Sequence, residues 1–109
     1  TKIHQTNPKL SDFSKLIDIH YKDEKSVVFY ASLLNISSNY LNILCKKNLQ
    51  ISATNLIQER IILEAKRLLQ STELNIKEIA YELGFVDHAY FSNFFKNQTG
   101  ITPTQFREN

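Results

Sequence analysis

Two stretches of this chain repeat one pattern of apolar and small residues. Val27, Tyr30, Ala31, Leu34, Asn35 and Ile36 align with Ile76, Ile79, Ala80, Leu83, Gly84 and Phe85. After a turn that is one residue longer in the second copy, Leu41, Leu44 and Cys45 align with Phe91, Phe94 and Phe95. Each copy opens on the i, i+3, i+4, i+7 spacing of an amphipathic helix. Each therefore reads as a short helix, a tight turn and a second helix, with a small Ala that lets the two helices approach closely. A chain containing two such units is held to an all-α fold of helix-turn-helix type.

The rest of the composition agrees. With 109 residues, only 2 Gly and 2 Pro, and 42% hydrophobic residues, the chain has a real core and too few turn residues for a β-sandwich. The net charge of +2 is too small to identify a nucleic-acid binder by itself, so a DNA-contacting face would need its bases placed locally and its acids kept away. Cys45 is the sole cysteine, which excludes an internal disulfide and a Cys-rich zinc site. His4, His20 and His88 lack metal-ligand spacing, so no metal and no cofactor are expected. No apolar run reaches the length of a membrane span and no secretory signal is visible, which makes a cytoplasmic location and no membrane partner the default expectations. The absent initiator Met suggests a fragment of a longer protein.

The remaining elements follow from punctuation. Residues 1–8 read as a linker or disordered lead-in, and residues 9–109 as the domain. A first helix is expected over 9–21, with Phe13, Leu16, Ile17 and His20 at helical spacing. Ser26 can cap a helix over 27–34, and Asn35 can take a left-handed turn before another helix over 38–47. The first helix-turn-helix thus occupies about 27–47. The longest pattern, a central spacer helix over 53–70, has Leu56, Ile57, Ile61, Ile62, Leu63, Ala65, Leu68 and Leu69 on more than one stripe, so it should pack on more than one side. Asn75 and Glu78 form a capping box before the second helix-turn-helix at about 76–97. Gly84 supplies a positive φ there, and Asp87 caps a helix over 88–97 that turns Phe91, Phe94 and Phe95 inward. Gly100 ends that helix, and Thr102, Pro103 and Gln105 start a short last one.

The second helix of each copy has a polar outer face: Asn39, Asn42, Ile43 and Lys46 in the first, Ala89, Ser92, Asn93 and Lys96 in the second. An α-helix fits the major groove of DNA, where Asn can pair with adenine and Ala or Ile can meet thymine methyls. The two lysines near the helix ends could reach phosphates. A spacer of about 17 residues spans roughly 26 Å. That length would let two recognition helices lie about one DNA turn, ~34 Å, apart.

The segment running through residues 79–96, from Ile79-Ala80-Tyr81-Glu82-Leu83-Gly84-Phe85 to Phe94-Phe95-Lys96, resembles the DNA-binding domain of the AraC/XylS family of bacterial regulators. Residues 99–107, Thr-Gly-Ile-Thr-Pro-Thr-Gln-Phe-Arg, look like that family's closing signature, and residues 60–69 are similar to its linker helix. The likeness covers about 27–107. It implies about seven helices in two helix-turn-helix subdomains, with two recognition helices in adjacent major grooves. By position it implies DNA contacts from Asn39, Asn42 and Ile43, and from His88, Ala89, Tyr90 and Asn93; Ser38, at the start of the first recognition helix, belongs with them. The chain departs from the family pattern at Cys45, where Phe is usual, and at Gln50, where Gly is usual. It departs again at Ile43 and Asn93, where Arg is frequent. These departures imply a first unit that is less rigid or contributes less to base reading. The partners implied are double-stranded DNA and, for a full-length regulator, RNA polymerase. The 109-residue chain is expected to be monomeric because its apolar positions are used internally; dimerisation of a longer protein stays open.

Other readings stay in play. Cys45 at an inward position is a small core residue before it is a redox sensor. His88 is evenly divided between DNA contact and plain surface, and Tyr90 between phosphate contact and packing. A helix-turn-helix can also serve as a protein-interaction module, which acidic recognition faces would favour. An enzyme is not expected, since there is no phosphate loop, no nucleophile-base signature and no metal motif.

Overall fold

A computed structural model describes residues 7–109, and these contain seven α-helices and no strand. They are α1 (Pro8–His20), α2 (Val27–Leu33), α3 (Ser38–Leu49), α4 (Ala53–Ser71), α5 (Ile76–Glu82), α6 (His88–Thr99) and α7 (Pro103–Glu108). The chain divides into two compact units, Thr1–Arg60 and Ile61–Asn109, so α4 contributes residues to both. No single helix among the described residues is long and apolar enough to cross a membrane.

In the first unit, α1 starts earlier than the sequence suggests. Asn7 accepts a hydrogen bond from Lys9 N at 2.9 Å and caps the helix, and Pro8 takes its first position, where a missing N–H is no loss. Asn7 and Pro8, expected in the lead-in, thus belong to the start of the helix; the rest of that expectation, residues 1–6, lies outside the described residues. Phe13, Tyr30, Leu41, Cys45 and Ile57 are fully buried together with Leu10, Ile17 and Leu44. Tyr30 packs edge-on against Phe13 and Phe29, and its hydroxyl donates to Glu24 O at 2.6 Å, which satisfies the polar end of a buried ring. Arg60 ties α1 to α4: Nε donates to Asp18 Oδ1 at 2.8 Å and the guanidinium lies 4.3 Å from the Tyr21 ring centre.

In the second unit the core is Ile61, Ala65, Leu68, Leu69, Ile79, Leu83, Phe85, Phe91 and Phe95. Phe94 is only half-buried rather than fully inward; it lies on the core's rim, 5.5 Å from Phe85. Leu63 is 63% exposed, because Ile62, Ala65 and Leu69 occupy the buried stripe and leave it on the outer face. Both predicted capping boxes form. Asn75 and Glu78 exchange bonds of 2.8 Å each, and Thr102 and Gln105 bonds of 2.9 and 3.1 Å. Arg107 reaches back to α4, donating to Leu69 O at 3.0 Å and Thr72 O at 3.3 Å, so a cation sits on the carbonyl end of that helix.

The turns repeat as the helices do. Ile36 N donates to Ala31 O at 3.1 Å, and Phe85 N to Ala80 O at 2.9 Å. The left-handed residue is Asn35 in one copy (φ 60°) and Gly84 in the other (φ 86°). Helices α3 and α6 run two residues past their expected ends and stop at Gln50 and Gly100, both left-handed, each donating its N–H to the carbonyl of Lys46 or Lys96.

Candidate nucleic-acid interface

Each recognition helix is started by a side-chain cap. Ser37 accepts from Tyr40 N at 3.0 Å ahead of α3, and Asp87 accepts from Ala89 N at 2.8 Å ahead of α6. The caps fix where each helix begins and so which residues occupy its first turn.

On α3, Asn39, Ile43, Lys46 and Lys47 are exposed, and with Asn42 they line one shallow depression. Ile43 is 51% exposed, an apolar side chain kept out of the core on a polar face. Ser38 is half-buried. Asn42 is half-buried too, and its Oδ1 accepts a hydrogen bond from Ala53 N at 2.9 Å, so its acceptor is turned to the protein. On α6, His88, Ala89, Tyr90, Asn93 and Lys96 are exposed and Ser92 is half-buried. The Tyr90 ring lies 5.8 Å from Phe85, and the residue is 63% exposed.

One feature escaped the sequence reading, and a second sharpens it. Val86 is the extra residue of the longer second turn and is wholly exposed; with Lys77, Tyr81, Phe85 and His88 it lines a depression at the start of α6. Its signal was the insertion itself, one residue without a counterpart in the first copy. The second feature is electrostatic. No Asp or Glu occurs in α3 or in α6, while Lys46, Lys47 and Lys96 sit in their last turns. The modest net charge conceals this segregation, because 11 acids lie elsewhere in the chain. A helix pair free of carboxylates and ending in lysines suits a polyanion and disfavours a basic protein partner.

Among the described residues no group of three His, Cys, Asp or Glu side chains could hold a metal ion. Cys45 is buried, and desolvation pushes its thiol up to about 11, which leaves it protonated and unreactive near neutrality.

A family model described as a helix-turn-helix domain, of AraC type, matches residues 30–109. The chain belongs to the AraC family of helix-turn-helix regulators. Among its AraC-type relatives, it is 36% identical over 109 residues to the uncharacterized HTH-type transcriptional regulator YfiF of Bacillus subtilis, covering 96% of this chain and 33% of that protein. It is 31% identical to the Msm operon regulatory protein of Streptococcus mutans, covering 94% of this chain and 37% of that protein. The chain thus spans about a third of the length of these relatives. Its fold is similar to the C-terminal domain of AraT, a response regulator from Geobacillus stearothermophilus. That match has a TM-score of 0.87 and 34% identity, over 96% of this chain and 88% of that one. The AraC family consists of DNA-binding transcription regulators rather than enzymes.

Proposed function

We propose that this chain is the DNA-reading domain of a bacterial transcription regulator, with α3 and α6 entering adjacent major grooves of a specific duplex. The observation that carries this reading is the pair of helices that contain no Asp or Glu between their caps and their ends and carry lysines in their last turns. Ser38, Asn39 and Ile43 face the first half-site, and His88, Ala89, Tyr90, Ser92 and Asn93 the second; Lys46 and Lys96 bind phosphates. The chain acts as a monomer in the cytoplasm, and the full-length regulator meets RNA polymerase at the promoter.

Selection of bound duplexes from a random pool, followed by binding assays at about 100 mM salt against scrambled DNA, tests this. Two enriched half-sites about a turn apart are expected; equal affinity for selected and scrambled duplexes would defeat the reading. In the same assay Asn93→Ala should weaken the selected duplex by about 1–3 kcal/mol and relax one base position. Lys96→Ala should weaken all duplexes alike and lower the salt slope by roughly one.

A further inference from the structure

We infer that Asn42 is a positioning residue, latching the first recognition helix to the start of α4, and does not read a base. This rests on the DNA-binding reading above, in which its position on α3 would make it a reader.

The first amides of a helix have no acceptor within the helix. At the start of α4, the Ser52 hydroxyl takes one of them, accepting from Asn55 N at 3.1 Å, while the Ser52 carbonyl takes the first regular helical bond, from Leu56 N at 3.1 Å. The N–H of Ala53 is not met by Ser52 and lies on a residue with no exposed surface, where an unmet donor is costly because water cannot replace the lost bond. Asn42 Oδ1 meets it at 2.9 Å, across eleven residues of chain.

The second copy of the repeat serves as an internal control. Gln50-Ile51-Ser52-Ala53 aligns with Gly100-Ile101-Thr102-Pro103. The joint is otherwise duplicated: Thr102 Oγ1 accepts from Gln105 N at 3.1 Å as Ser52 accepts from Asn55, and Gly100 N donates to Lys96 O as Gln50 N does to Lys46 O. At the position of Ala53, however, stands Pro103, fully buried and without an N–H. The residue aligned with Asn42 is Ser92, and no bond equivalent to the latch is made there. The asparagine appears where the donor exists. Paired reading of an adenine edge would need the same amide oxygen together with the NH2 group, and that oxygen is committed to α4.

The test is a double-mutant cycle on the 109-residue chain, reading both thermal stability and binding to the selected duplex and its single-base variants. Asn42→Ala should lower Tm by about 5 °C. It should weaken all duplexes by roughly tenfold, about 1.4 kcal/mol, with the ranking of base variants unchanged. Ala53→Pro removes the donor, so Tm should stay near wild type, but it also breaks the latch and should weaken all duplexes about as much as Asn42→Ala does; in that background Asn42→Ala should lose most of its effect in both readouts. An unchanged Tm with altered preference at one base position would make Asn42 a reader and overturn the inference, as would full additivity in the cycle. If Ala53→Pro does not fold, Asn42→Asp decides, since it keeps an acceptor oxygen. Near-native Tm supports the latch, and a loss equal to that of Asn42→Ala overturns it. Should no duplex be preferred by the wild-type chain, the DNA reading fails, while the stability cycle still judges the latch.

Discussion

Gln50 and Gly100 occupy the same place in the two copies, and both are left-handed, at φ 60° and 91°. Only glycine reaches that region without a Cβ clash against its own backbone. A Cβ built on Gly100 would meet nothing within 4 Å, so Gly100→Gln should cost only the backbone strain, about 1 kcal/mol. Gln50→Gly should raise stability by about 0.5–1 kcal/mol, reduced by loss of the weak bond from Gln50 Nε2 to Lys47 O at 3.3 Å. Urea unfolding of the two variants against wild type measures both; equal and opposite signs to these would show that the turn is held by its neighbours. This departure from the family pattern was legible as a residue identity, and its conformational meaning came from the dihedral angle.

At the scale of the element, the starts of helices were legible in the sequence and the ends less so. Ser26, Asn75, Asp87 and Thr102 all cap as their identities suggest, because a short oxygen-bearing side chain acts locally on the next few amides. The ends of α3 and α6 depend on where a left-handed residue is tolerated, which Gln50 does not advertise. The same limit hid Val86. It precedes the cap Asp87, where an apolar residue often packs back on the helix, yet it is wholly exposed. Since it buries nothing, Val86→Asp should leave Tm within about 2 °C of wild type. The added charge at the start of α6 should weaken duplex binding by roughly tenfold, more at low salt. Unchanged affinity would place this turn away from the duplex.

At the scale of the whole molecule, Lys25, Tyr30 and Cys45 have clearly moved proton affinities, and all three belong to the first unit. Burial, with Glu24 and Asp23 adding to it, pushes the Tyr30 hydroxyl up to about 12, and burial pushes Cys45 up to about 11. The unfolded chain loses these protons nearer 10 and 9, so between those values and the folded ones the native state holds more protons. Stability is then full below about pH 9 and falls as pH rises towards 12. Lys25, held below its ordinary value by desolvation, acts in the opposite sense. Urea midpoints at pH 8 and about pH 10.5 should show the loss. Tyr30→Phe should reduce this alkaline loss while lowering stability at pH 8 through the missing bond to Glu24 O. A midpoint independent of pH would contradict the placement of these groups.

The internal repeat by itself determined the helix-turn-helix units, their caps and most of their core, because periodicity and capping are local properties written into residues three and four apart. The outward faces of α3 and α6 were likewise readable from that periodicity. What only the tertiary structure decided was the work done by side chains at helix junctions. Asn42 looks like its neighbour Asn39 in sequence, and the difference between them is an amide eleven residues away that folding brings to 2.9 Å. Whether a polar side chain is open to a ligand or spent on the backbone depends on such non-local donors, and no spacing rule along the chain records them.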